Sequence, residues 1–171
     1  FKNPFNLGYN RNLYRGFLES CSDWICILPD DDSIEEGFLS ELISVIEKNK
    51  DCSILIPALK VDNTKSKYPF DKTTRIKKGK KAYEIAFKYC GAATGLTFNK
   101  LKINENEWHL DGLIYPQIRI AVYSSIENDI LYFIPKHFPN VGNHDSVTTA
   151  INDDMNRPDD FGIFERLEIL L

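Results

Sequence analysis

Between Asn10 and Cys21 the apolar residues Leu13, Phe17 and Cys21 stand four apart, with Tyr14 and Leu18 beside them, and this spacing predicts an amphipathic helix. Trp24-Ile25-Cys26-Ile27-Leu28 follows as a continuous apolar run, too short for a helix and of the kind carried by a strand buried on both faces. Pro29-Asp30-Asp31-Asp32-Ser33 ends that run in a turn. Ser33-Ile34-Glu35-Glu36 has capping-box spacing, so a helix is expected from Ser33 to about Asn49 with Phe38, Leu39, Leu42, Ile43, Val45 and Ile46 as a broad apolar face. Ser53-Ile54-Leu55-Ile56-Pro57 reads as the next strand.

The pattern then changes. Nine of the 22 residues from Lys60 to Lys81 are Lys or Arg against two acids, and turn formers replace periodic apolar positions, which predicts a loop. Helical spacing returns from Gly79 to Cys90 through Ala82, Ile85, Ala86 and Tyr89. Gly91-Ala92-Ala93-Thr94-Gly95 breaks it before a short strand, Leu96-Thr97-Phe98. Asp111 is placed to cap a helix carrying Ile114, Ile118 and Val122, with Pro116 near its first turn, where a missing N–H costs little. Ile130 to Ile134 is a further strand, and Phe161, Phe164, Leu167 and Leu171 mark a final helix. Helices alternating with apolar strands in this rhythm predict an α/β fold with a mostly parallel central sheet.

Composition narrows the function. The chain has 171 residues, 43% of them hydrophobic, enough for one domain with a sizeable core. A formal net charge of −4 argues against a dedicated nucleic-acid binder. Cys21, Cys26, Cys52 and Cys90 form no CxxC pair and have no His at zinc spacing, so reduced, buried thiols in a cytoplasmic protein are expected. No run of about 18 apolar residues is present to span a membrane. The basic stretch 60–81 is a candidate for peripheral contact with anionic lipid headgroups or a lipid-linked diphosphate; its bland alternative is a solvated loop.

Three aspartates directly after an apolar strand fall at the carboxyl edge of a sheet, where open α/β folds bind ligands. Crowded carboxylates repel one another, and a divalent cation relieves that repulsion; hard oxygen ligands suit Mg²⁺ or Mn²⁺, which bridge to substrate phosphates. A solvated acidic turn in front of a helix is the alternative. An EF-hand is excluded, because Glu35 stands where the loop needs glycine.

What lifts the acidic run is the sequence ahead of it. Asn6-Leu7-Gly8-Tyr9-Asn10-Arg11-Asn12, Gly16, Ser22-Asp23-Trp24 and the strand ending in Pro29-Asp30-Asp31-Asp32 resemble, in order and spacing, the inverting family-2 glycosyltransferases of the GT-A fold. The resemblance covers residues 6 to about 49 closely. It implies helices on both faces of the sheet and N-terminal strands ahead of Phe1 that this chain lacks, so the piece by itself is expected not to bind donor normally.

The resemblance also implies a division into a donor and metal half at 1–59, the basic loop at 60–81, and an acceptor half with a C-terminal helix at 82–171. Arg11 and Asn12 would contact the nucleotide, Asp30 and Asp32 would bind metal in Asp-x-Asp spacing, and Asp31 would be the alternative ligand. Pro29 stands where relatives often carry a first aspartate, which leaves the ligand pair open. Gly91 to Phe98 resembles a glycine-containing loop beside the acceptor. Glu107-Trp108-His109-Leu110-Asp111 lies where relatives place the general base, and Asp111 is the choice, with His109 the weaker candidate. Val141 to Ser146 resembles a late loop in which His144 would bind phosphate or metal.

The activity so implied is inverting transfer of a sugar from a nucleoside-diphosphate sugar to an acceptor hydroxyl. The acceptor would be a saccharide or lipid-linked saccharide in bacterial surface polysaccharide or lipopolysaccharide synthesis, made in the cytoplasm or at the inner face of its membrane. Other readings are a catalytically silent sugar- or lipid-binding relative and a metal-dependent phosphotransferase or hydrolase, for which Pro29 occupies the place of the nucleophilic aspartate.

Overall fold

The computed structural model of the chain describes residues 7–61, 64–65, 69–104 and 115–142. Ile54, Leu55 and Ile56 in strand β3 (Ile54–Pro57) are sealed from solvent on both sides. The alternation of a strand sends Ile54 and Ile56 into one hydrophobic layer and Leu55 into the other. β8 (Ile130–Phe133) lies parallel to β3 and repeats the pattern, Ile130 and Tyr132 facing one layer, Leu131 and Phe133 the other. These two strands form the centre of a five-stranded sheet in the order β1 (Trp24–Cys26), β7 (Thr97–Asn99), β3, β8 and β6 (Thr74–Ile76).

Helices cover both faces, as expected. Phe17 of α1 (Gly8–Glu19), Ala82 and Ala86 of α3 (Lys80–Tyr89) and Ile120 and Ala121 of α4 (Pro116–Glu127) belong to one layer. Phe38 and Leu42 of α2 (Phe38–Lys48) fill the other. Fully burying each large side chain of this kind stabilises the fold by about 1.5–3 kcal/mol. The alanine pair on α3 lets it lie close against α4, which starts at Pro116 with Tyr115 at its N-cap, four residues later than the Asp111 cap expected from the sequence.

A second sheet, in the order β2 (Ser33–Ile34), β9 (Pro139–Val141), β4 (Lys60–Val61) and β5 (Thr64–Lys65), sits at the exit of β1.

Several expectations require correction. Among the described strands the main sheet is mixed rather than mostly parallel: β3 with β8 is its one parallel pairing, and β1·β7, β7·β3 and β6·β8 are antiparallel. Trp24, Ile25 and Cys26 are half-buried, because β1 occupies the edge of that sheet.

No capping box forms. Ser33 and Ile34 pair with Asn140 and Pro139, and α2 starts five residues later than Ser33, behind Gly37 at φ +96°. Its apolar face is narrower than the sequence suggests, with Leu39 and Ile43 exposed.

The basic segment contributes three short strands, β4, β5 and β6, where a loop was expected. Cys52 and Cys90 are buried as anticipated, but Cys21 is exposed; all four thiols are free. Burial pushes the Cys52 thiol up to about 11 and Cys90 higher still, so both stay protonated and inert. Among the described residues no helix is long and apolar enough to cross a membrane. The expected C-terminal helix, Asp111 and His144 lie outside the described residues.

Candidate functional site

The exit of β1 is held by the chain after α3. Ile27 N–H donates to Leu96 O at 2.9 Å and Gly95 N–H donates to Ile27 O at 2.8 Å, which extends the β1·β7 pairing to the edge of the acidic run. Gly95 has φ +75°, and a Cβ there would stand 2.9 Å from the Pro139 ring and 3.1 Å from Phe38 and Pro57. Only glycine permits this close approach of four segments. Pro57 ends β3, so the acidic run sits at the carboxyl end of the central parallel strand.

Past Pro29 the chain turns, with Asp32 N–H donating to Pro29 O at 3.3 Å. The antiparallel pairing of Ser33 with Asn140 then brings the end of β9 alongside. Asp32 is clasped from two sides: Gly142 N–H donates to Oδ1 at 3.0 Å, and the Thr94 hydroxyl donates to Oδ2. Gly142 also lies so near the Asp31 carbonyl that a Cβ on it would be 2.5 Å from that oxygen. Asp30 and Asp31 are exposed, while Asp32 is half-buried.

Two carboxylates on the α2 side fix the approach of β9. Glu35 pairs with Phe138 through both its backbone N–H, 3.0 Å from Phe138 O, and its carboxylate, which accepts the Phe138 N–H at 2.8 Å. Lys60 forms an ion pair with the same carboxylate and lies over the Phe138 ring at 5.2 Å. The Lys60 hydrogen bond, with the Phe138 N–H second, holds the Glu35 carboxyl below its ordinary range. Glu41 accepts the Lys136 N–H at 2.9 Å and the His137 N–H at 3.3 Å. Glu35, read as part of a capping box, thus belongs with Glu41 to a tether for residues 136–138 instead.

On the other side a buried amide positions the glycine loop. Gln117, 1% exposed, donates from Nε2 to Gly91 O at 3.0 Å and accepts the Tyr9 hydroxyl at 3.2 Å. The Tyr9 ring reaches solvent while its hydroxyl points inward; desolvation there, with Tyr115 nearby, pushes its pKa up to about 12. α1, α4 and the 91–95 loop are joined at this point.

The structure therefore brings together three of the segments picked out in the sequence: 30–32, 91–95 and the start of 141–146. Arg11 and Asn12 are exposed near the start of α1, within three residues of Tyr9. Asp111, His109 and His144 lie outside the described residues. Thr94, Gly142 and Gln117 carry contacts that sequence reasoning did not assign. Gln117 was readable as a lone amide on the buried stripe Gln117, Ile120, Ala121, Ser124, since a buried amide must find partners.

Among the described residues no three His, Cys, Asp or Glu side chains converge as a metal cluster. The donor chemistry still suits a hard cation: an ionised carboxylate offers about four lone-pair sites, and Thr94 and Gly142 take two of those on Asp32. Mg²⁺ is usually held by one or two carboxylates plus substrate phosphates rather than by an all-protein cage. The profile of glycosyl transferase family 2 matches residues 1–105, which takes in Arg11, Asn12, the acidic run and Thr94. No curated protein matches the chain.

Proposed function

The chain belongs to glycosyl transferase family 2, and we propose that it transfers a sugar, with inversion, from a nucleoside-diphosphate sugar to an acceptor hydroxyl. The observation that carries this reading is the convergence of the acidic run, the Thr94 loop and the end of β9 at the carboxyl edge of the sheet. Asp30 and Asp32 would hold Mn²⁺ or Mg²⁺, with Asp31 as the alternative ligand. Such a cation supplies charge neutralisation for the departing diphosphate. Arg11 and Asn12 would contact the nucleotide and His144 the diphosphate.

Transfer needs one proton removed. As the acceptor oxygen bonds to the anomeric carbon, the bond from that carbon to the diphosphate oxygen breaks, its electron pair leaves with the diphosphate, and the acceptor proton passes to a carboxylate. We assign that base to Asp111. Thr94 and Gly142 act earlier: by fixing Asp32 before donor arrives they remove the cost of ordering it during binding. The acceptor we propose is a saccharide or lipid-linked saccharide of a bacterial surface polysaccharide or lipopolysaccharide, and the reaction is placed in the cytoplasm or at the inner face of its membrane.

Thermal stability of the full-length protein, titrated with Mn²⁺ and nucleoside diphosphates, tests the proposal. Metal-dependent stabilisation by nucleotide is expected, since a ligand that binds only the folded state raises stability. Asp32→Asn should abolish it. Stabilisation that survives the substitution removes the acidic run from the donor site, and no stabilisation in the parent protein identifies a silent relative.

A further inference from the structure

The charge that sequence analysis found in the basic stretch is concentrated by the fold. Residues 71–88 contain seven Lys or Arg and two acids, a surplus of five in a chain whose formal net charge is −4. Edge strand β6 delivers this segment into the turn Lys77-Lys78-Gly79 and then into α3. Arg75 is committed to Asp51 and Asp129, and Lys77 to Asp129. Lys78, Lys80, Lys81 and Lys88 are exposed and carry the remaining surplus, with Glu84 the acid among them.

Apolar groups stand among these cations. Ala82 and Ala86 turn one side of α3 into the core, while Phe87 is 40% exposed and stacked on Tyr83 at 6.5 Å, the rings within 4° of parallel. Gly79 N–H donates to Ser125 O at 3.0 Å, which brings the last turn of α4 to the lysine turn. Ile126, the next residue, is 49% exposed. The opposite end of the same helix pair is joined through Gly91 and Gln117, so α3 and α4 run antiparallel and α3 leads from the lysine turn to the site loop. Its ten residues span about 15 Å.

We infer that the turn at residues 77–79 and the outer face of α3 form a docking surface for a membrane rich in anionic phospholipid. Lysine ammonium groups meet the headgroup phosphates, and Phe87 and Ile126 enter the headgroup boundary, a mixture that suits an interface better than a purely solvated helix. A nucleic-acid backbone would reward the cations alone and leave the exposed apolar groups in water. The Gly91–Gly95 loop then lies about one helix length along α3 from the lysine turn. The inference does not depend on glycosyl transfer.

Co-sedimentation of the full-length protein with phosphatidylcholine vesicles, with and without phosphatidylglycerol, tests it. Binding is expected only to the anionic vesicles and should weaken as salt rises. Each lysine near such a surface contributes about a fivefold gain in partitioning, so Lys80→Glu/Lys81→Glu should reduce binding by about 25-fold or more. Lys48→Glu/Lys50→Glu, with the same charge change on the exposed end of α2, should leave it within about twofold. Phe87→Ser should lower the fraction that persists at high salt.

Equal binding to both vesicle types, equal loss from the two lysine pairs, or retention of a short RNA in place of vesicles would each overturn the proposal. Should Lys80→Glu/Lys81→Glu prove poorly folded, the salt titration of the parent and Phe87→Ser decide the question. Nucleotide-dependent thermal stabilisation should be the same in all these variants, which separates failure of docking from failure of the donor site.

Discussion

Replacing Thr94 with Val removes one hydroxyl and nothing else of substance. The residue is 1% exposed, and valine keeps its branched shape, so the packing of the 91–95 loop is preserved. What disappears is a hydrogen bond to an ionised carboxylate, a class that contributes about 1.5–3 kcal/mol. Asp32 is half-buried and keeps the Gly142 N–H, so water recovers part of the loss, and a destabilisation of about 1–2 kcal/mol is expected.

Valine alone would also register any change in hydrophobic packing, so the decisive quantity is the coupling with Asp32→Ala. In a double-mutant cycle measured by urea denaturation of the full-length protein, Thr94→Val should cost about 1–2 kcal/mol when Asp32 is present and close to nothing when it is absent. Additive effects, with a coupling below about 0.3 kcal/mol, would refute the clasp. If the clasp also pre-orders Asp32 for donor, the nucleotide-dependent thermal shift should shrink in Thr94→Val without vanishing, since Asp30 and the Asp32 carboxylate itself are untouched.

Gly142→Ala should destabilise by about 1–3 kcal/mol in the same denaturation assay, because its Cβ would stand 2.5 Å from the Asp31 backbone oxygen and that oxygen cannot swing aside like a side chain. Gly37→Ala should lower the melting temperature for two reasons, φ +96° and a Cβ 2.9 Å from the His137 ring; together they cost about 1–3 kcal/mol, and an unchanged temperature would contradict the tether at residues 136–138.

Desolvation works to raise the Asp129 pKa, but Lys77, the Lys78 N–H and Arg75 outweigh it and bring the carboxyl down to about 2. A depressed carboxylate stabilises the fold above its ordinary pKa of 3.8 and loses that contribution as pH falls through about 2. Asp129→Asn should therefore cost about 1–2 kcal/mol at neutral pH, a gap that closes between about pH 4 and 2; a constant gap in denaturation midpoints across that range would exclude the linkage.

The strongly periodic elements were legible because their pattern is local. α1, α3, β3 and β8 all fall within a few residues of where apolar spacing places them. The failures share a cause. Ser33-Ile34-Glu35-Glu36 satisfies the local rule for a helix start, yet its first three residues are taken by distant partners: Ser33 by Asn140, Ile34 by Pro139, and Glu35 by Phe138 and Lys60. Likewise β6 reads as a basic loop because one buried position, Ile76, is its whole hydrophobic signal. Strand direction was inferred from alternation with helices, a rule that fails at β7, which follows α3 yet enters between β1 and β3 antiparallel to both.

The acidic run shows the same limit in its function. Asp30, Asp31 and Asp32 are equivalent as letters, and only long-range pairing makes them different: Asp32 is engaged by residues 62 and 110 positions away, while its two neighbours are exposed. The contact with Gly142 exists because β2 pairs with β9, and that pairing exists because Glu35 and Glu41 hold the chain between β8 and β9. Residues 115–142 thus fix the geometry of a carboxylate that lies within the family match, although they fall outside the match themselves. If the run is the donor site proposed above, change at Asp30 or Asp31 should cost donor binding alone, whereas change at Asp32 should cost donor binding and loosen the sheet edge together.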